Sequence, residues 1–451
     1  MIIVQRLAWT PSYLRLSAIT LALSAASLAS PSFALDYTLD LLLGGESTDN
    51  INRLPDNRAQ EGYEANIGSR LGLIHDGRKI IFNANYSAIH SEYKNNLIQN
   101  DNEVTGSSDL LWRIIDDRLV WNVDHYISEV LSNNSRANTP DNRERRQILT
   151  TGPTFRTHLS AVDDLTFLAQ HTQLNQGDAV NETALQRSNI DSNRIEGTII
   201  WSHDLSETSA LEIGVTSSET EFDNNSPDFE YQQSFIGYRA QLASGDYSIR
   251  LGANQAERSD SGKAEKGAYI AIEFNREIKG DNIAINIVRQ LTDSSIGLDN
   301  DVTNNNTNDF DTINIVERTH FDINYTLQNV CRGCVANIIY SFDQEDFQND
   351  ISLSVLDMDN KDNRMSTILD YRINSRLSSR TTASYLITRF SDLSRRDRVI
   401  ELETSLNWQL SRKLGLRTYL AYNNRDTNQR GLLDIDYNAS IIGLIATYTI
   451  K

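Results

Sequence analysis

The chain has 451 residues, 39% of them hydrophobic, with Lys+Arg 42 against Asp+Glu 61 and a formal net charge of −19. The length suits two or three ordinary domains or one large β architecture, and the acidic balance excludes nucleic acid as a partner, because phosphates demand the opposite sign. Two cysteines in the whole chain exclude a disulfide scaffold and a cysteine-rich metal fold.

Residues 1–34 carry Arg6 and Arg15, a mostly apolar stretch from Leu16 to Ala29, and Ser32-Phe33-Ala34 with small residues where a signal peptidase reads. This pattern predicts a secretory signal peptide cleaved after Ala34, its apolar run being shorter than the roughly 20 residues of a membrane span. The mature chain, 35–451, is more acidic still once both arginines leave. No later stretch has the length and apolarity of a transmembrane helix, so entry into a membrane requires a barrel.

The periodicity predicts one. From Tyr63, Ala65, Ile67, Ser69, Leu71 and Leu73 alternate with Glu64, Asn66, Gly68, Arg70 and Gly72. After Asp76-Gly77, Ile80, Phe82, Ala84, Tyr86 and Ala88 resume the alternation. Period two around Asp-Gly is a strong hairpin signal. Arms of about a dozen residues exceed the five or six of soluble sandwiches and suit tilted membrane strands, which need about 9–11. The unit recurs at 106–130, turning at Asp116-Asp117, and further hairpins pivot near 161–164, 204–208, 243–246, 279–281, 328–335, 374–379 and 411–413. Between them lie Asn-, Asp- and Ser-rich segments, at 44–62, 131–146, 176–192, 292–309 and 343–362, unsuited to a core.

Short turns alternating with long polar loops predict a closed antiparallel all-β barrel of the bacterial outer-membrane type, with the turns periplasmic and the loops outside. Adding a first strand at about 35–44 and a last at about 438–450 gives about 20 strands, within a range of 16–22. In the last strand Ser440, Ile442, Leu444, Ala446, Tyr448 and Ile450 share a face. This resembles a terminal barrel-recognition strand, although Ile450-Lys451 departs from the usual aromatic ending. Such a strand implies the barrel-assembly machinery as a partner during biogenesis and outer-membrane lipid thereafter. Tyr37, Tyr63, Trp121, Tyr126, Trp201, Trp408 and Tyr448 stand near predicted strand ends, as girdle aromatics would.

Residues 69–93, 106–130 and 151–172, with Ser47-Thr48-Asp49-Asn50, resemble the outer-membrane barrels associated with PEP-CTERM and exosortase systems. The resemblance covers nearly the whole mature chain and is one of pattern and spacing. It implies a role in the envelope or in exopolysaccharide export of Gram-negative bacteria.

Little in the chain points to catalysis. His75, His90, His125, His158, His171, His203 and His320 are scattered without metal-site spacing, and no nucleophile elbow occurs. The expectation is no enzyme, no cofactor and no metal. Two acidic runs, 299–311 and 357–362, lack the glycine and terminal glutamate of an EF-hand and read as solvated loops. Cys331-Arg332-Gly333-Cys334 sits in a predicted periplasmic turn; a disulfide suits that compartment, free thiols and a redox pair being the other readings. The polar faces assign Arg70, Asp109, Arg113, Glu196, Arg250, Glu273, Asp370, Arg372, Glu401, Glu403 and Arg417 to the lumen. Two functions follow: a passive pore or export conduit for a hydrophilic solute or polysaccharide, or a scaffolding barrel whose acidic loops bind a partner, polymer or divalent ions. Processing is directly measurable: N-terminal sequencing of the exported protein should begin at Leu35, and an intact residue 1 would refute cleavage.

Overall fold

The computed structural model describes residues 35–450 except 95–97, 132–137, 177–190, 224–226, 261, 263, 294–314, 329, 349–358, 392–393 and 429–434. The signal segment and the acidic run at 299–311 lie outside the described residues. So do the first two positions of the run at 357–362.

Twenty strands follow one another: β1 Asp36–Thr48, β2 Gly62–Asp76, β3 Ile80–Tyr93, β4 Asp101–Ile115, β5 Leu119–Leu131, β6 Arg143–His158, β7 Asp163–Gln176, β8 Ser192–Ser206, β9 Ser209–Phe222 and β10 Phe229–Leu242. The second half comprises β11 Gly245–Arg258, β12 Ala264–Ile278, β13 Asp281–Asp293, β14 Ile315–Gln328, β15 Cys334–Phe347, β16 Asn360–Arg372, β17 Leu377–Phe390, β18 Arg395–Gln409, β19 Leu414–Thr427 and β20 Tyr437–Thr449. Each pairs antiparallel with its sequence neighbour, and β1 closes on β20 from Asp40↔Thr449 to Thr48↔Ile441. The fold is a closed, 20-stranded antiparallel barrel, as the two-residue period predicts.

Local chemistry sets the turns. Between β12 and β13 only Lys279 and Gly280 intervene, with φ of 54° and 92°. A two-residue hairpin whose twist matches its strands needs positive φ at both positions, and glycine adopts it without strain. Between β16 and β17 the Asn374 carboxamide oxygen accepts from the backbone N–H of Arg376, 2.8 Å, and of Leu377, 3.0 Å, holding the bend with one side chain. The short connections share one end of the barrel with both termini; the long ones share the other. The first strand is longer than the sequence pattern indicates, because it continues through Gly44-Gly45 to Thr48 instead of turning there.

Register assigns every strand residue a side, since direct cross-strand partners share a face. The outward face carries an exposed apolar band, including Leu41, Leu43, Ile67, Ile213, Ile236, Leu251, Leu402, Leu420, Ile442 and Leu444. Toward the short turns the band ends in aromatics: Trp112 opposite Trp121, Phe155 stacked on Phe167 with ring centroids 6.3 Å apart, and Trp201, Tyr371, Trp408 and Tyr448 nearby. Tyr63 lies outward near the loop end of β2. Tyr126 is the exception among the predicted girdle aromatics. It follows Asp124 by two residues and pairs with Ser107 and Ile148, on the face turned inward.

The band makes a quantitative expectation. Leu402→Arg, at mid-strand facing outward, should destabilise the barrel by about 2–4 kcal/mol in urea unfolding from lipid vesicles. Ala421→Arg, on the inner face of β19, should cost much less because its head reaches water and carboxylates.

Candidate functional site

All eleven residues assigned to the lumen from the sequence lie on one continuous inner face by register. Arg70, Asp109, Glu273, Arg372 and Glu401 keep open solvent exposure there, so water reaches much of the wall. Several are paired along it. Asp370 accepts a bidentate pair from Arg380, 2.7 and 2.9 Å, and Glu403 accepts from Arg417. Arg250 and Arg239 both meet Glu212, 3.3 and 3.2 Å. Asp109 accepts from Asn83, 3.1 Å, and Arg113 donates to the carbonyl of Arg78 near a short turn, 2.7 Å. Among the described residues no strand lysine lies on the inner face, whose basic side chains are arginines with His158 and His320; the strand lysines, Lys266 and Lys361, fall on the other face.

The wall is not uniform around its circumference. Over β8–β14, near the loop end, the interior is filled. Phe222, Phe229, Tyr231, Ala256, Leu291 and Ile315 form a buried cluster, and beside it Arg194 of β8 bonds Asp293 of β13 with both side chains buried. Arg194 also donates to the Thr220 hydroxyl, 3.0 Å. An ion pair so enclosed must be well hydrogen-bonded to offset desolvation. Further round, Asp343 accepts from Arg318, 3.2 Å, and contacts His320, 2.7 Å, while Asp397 lies between Arg395, 2.5 Å, and Arg425, 2.9 Å.

The opposite sector, β1–β4 with β16–β20, encloses a cavity of about 660 Å³. Glu401, Glu403 and Arg417 line it together with Glu46, Glu64, Arg143 and Tyr419. Glu46 and Glu64 stand directly opposite on β1 and β2. Ser91 donates to Glu64, 2.6 Å, and the Tyr419 hydroxyl donates to Glu46, 2.5 Å. Gly443 makes that last contact feasible, since a Cβ there would fall 2.2 Å from the Tyr419 ring. The sequence brings Glu401, Glu403 and Arg417 to this place but leaves Glu46 in a loop, because Gly44-Gly45 reads as a turn. The signal that would have found it is the alternation Asp40, Leu42, Gly44, Glu46, Thr48 continuing through the glycine pair.

With this geometry in hand, comparison with known proteins adds one family. Residues 362–448, spanning β17–β19 and most of β16 and β20, match the family described as "Putative beta-barrel porin 2". The protein is an integral barrel of the bacterial outer membrane. No curated protein matches the chain. Among solved structures, it is similar to the siderophore receptor PirA from Pseudomonas aeruginosa at 11% identity and TM-score 0.43, over 93% of this chain and 81% of that one. The F3-3 variant of the FrpB iron transporter from Neisseria meningitidis is similar at 10% identity and TM-score 0.49, over 94% and 82%.

At the short-turn end, Cys331 and Cys334 face each other across the β14–β15 turn with Cα atoms 4.9 Å apart, within the span of a disulfide. Mass spectrometry of the unreduced, exported protein should show the 331–334 peptide two hydrogens lighter than its reduced form. The Cys331→Ser, Cys334→Ser double variant should lose no more than about 2 kcal/mol, because so short a loop restrains the unfolded chain little.

Proposed function

We propose that the barrel is a passive, weakly cation-selective conduit for hydrophilic solutes, and that export or passage of envelope polysaccharide is its setting. The observation that carries this reading is the cavity over β1–β4 and β16–β20, whose wall brings Glu46, Glu64, Glu401 and Glu403 together on a hydrated inner face. A 20-stranded barrel is wider than its own side chains fill, and carboxylates confined in a narrow polar passage raise the local concentration of cations. The match of 362–448 to a porin family supports a pore. The polysaccharide setting rests on the resemblance of 69–93, 106–130 and 151–172 to PEP-CTERM-associated barrels.

A second reading has its own support. The buried cluster and the Arg194–Asp293 pair fill the sector over β8–β14, as a barrel serving chiefly to display its acidic loops to a surface polymer or divalent ions would tolerate.

Planar-bilayer conductance of the refolded protein separates the two. A conduit should give stable steps with cations favoured, and Glu401→Gln with Glu403→Gln should reduce that preference more at 0.01 M than at 1 M salt, where screening falls from about 30 to about 3 Å. An electrically silent barrel would defeat the conduit and leave the display role. Conductance with selectivity untouched by the double variant would place the passage elsewhere on the inner wall.

A further inference from the structure

The outer wall over β6–β12 carries a groove of about 960 Å³, separate from the lumen. Its course follows from register. Ala169, Gly197, Ser217, Gln232, Gln255 and Lys266 are successive cross-strand partners on the outward face. The adjoining row toward the short turns begins with Phe155, Phe167, Ile199 and Val215. Small side chains leave the trough open: a Cβ on Gly197 would meet nothing within 4 Å. Beneath it the sheet pairs without a break and its inner side is packed, the Thr198 and Thr216 hydroxyls lying 3.0 Å apart and Asn254 and Phe235 being buried. The groove therefore opens to the lipid side.

The row crosses the wall obliquely. Ala169 stands at the middle of β7, whereas Lys266 stands near the start of β12 at the loop end. Chemistry changes along the same line. Phe155, Phe167, Ile199 and Val215 make the lower part apolar; Gln232, Gln255 and Lys266 make the upper end polar and cationic. From β7 to β12 the trough is roughly 24 Å long at about 4.8 Å per strand, enough for an extended acyl chain. Glu230 and Glu257, opposite each other one row nearer the loops, would repel an anion that rose past Lys266, which fixes its depth. At bilayer depth the medium touching this wall is hydrocarbon, and a lysine at the rim reaches the headgroup layer with its ammonium.

We infer that this groove holds one acyl lipid with a phosphate headgroup, its chain lying along the trough toward Phe167 and its phosphate on the Lys266 ammonium. Native mass spectrometry of the refolded barrel in detergent tests it, with dioleoylphosphatidylglycerol and the phosphate-free dioleoylglycerol as probes. The wild type should retain one phosphatidylglycerol in preference to the diacylglycerol. Gly197→Leu, whose side chain enters open space and fills the trough, should lose both lipids while keeping heat-modifiable migration on gels. Lys266→Gln should lower phosphatidylglycerol retention about fivefold, to the diacylglycerol level, as expected for one cation near a lipid phosphate. Equal retention by wild type and Gly197→Leu would overturn the assignment. A lipid-free dimer that Gly197→Leu dissociates would overturn it as well, by making the groove a contact between barrels.

Discussion

The interior of a bilayer offers no water to a backbone amide, and each unpaired N–H or C=O there costs several kcal/mol. The rest of the molecule depends on that constraint. Twenty strands pair in sequence order, and β1 meets β20 through nine register positions so that no edge is left. Closure then divides every strand into two chemistries. One set of side chains faces hydrocarbon and is apolar, as Leu402, Ile213 and Leu444 are; the alternate set faces an enclosed space and is free to be charged. The inner wall's carboxylates and guanidinium groups exist because the outer set satisfies the lipid.

Enclosure does not make the inside uniform. Near the loop end, the sector from β8 to β14 is packed like the core of a soluble protein, with Phe222, Phe229, Tyr231 and Leu291 around the buried Arg194–Asp293 pair. The sector from β16 through β20 to β4 stays hydrated and acidic around Glu46, Glu64, Glu401 and Glu403. Such asymmetry leaves the open, polar part of the interior on one side of the section. It also braces the wall against collapse, since Arg194 and Asp293 belong to strands that do not pair.

Strand identity and facing were legible because both are local. A period of two names the face of Glu401 or Arg250 without knowledge of any partner, and Asp76-Gly77 or Lys279-Gly280 marks a turn by its own backbone preference. What required the structure is set by distance in sequence. Nothing near Arg194 announces Asp293, because alternation along β13 gives Asp293 the parity of the outward Ile287 and Arg289, yet the end of that strand brings it to Arg194 inside the barrel. Glu46 was hidden by a glycine pair that continues a strand where glycines usually interrupt one. Tyr126 looked like a girdle residue from its position near a strand end, but the face follows from parity, and Asp124 fixes that. The outer trough is invisible for the same reason: Ala169, Gly197 and Ser217 are unremarkable singly and become a line only when register sets them side by side.

The absence of strand lysines from the described inner wall has an electrical consequence. A guanidinium keeps its proton at any acidity a cell envelope meets, so the arginine charge of the wall is a constant. The carboxylates of the same face, by contrast, lose their charge on protonation. As the surroundings acidify, anionic sites are neutralised while Arg70, Arg250, Arg372 and Arg417 are not, and the balance inside the barrel drifts in one direction. In the proposed conduit, cation preference in neutral water would weaken as the medium acidifies. The charge balance of the inner wall thus follows the acidity of the medium bathing the cell.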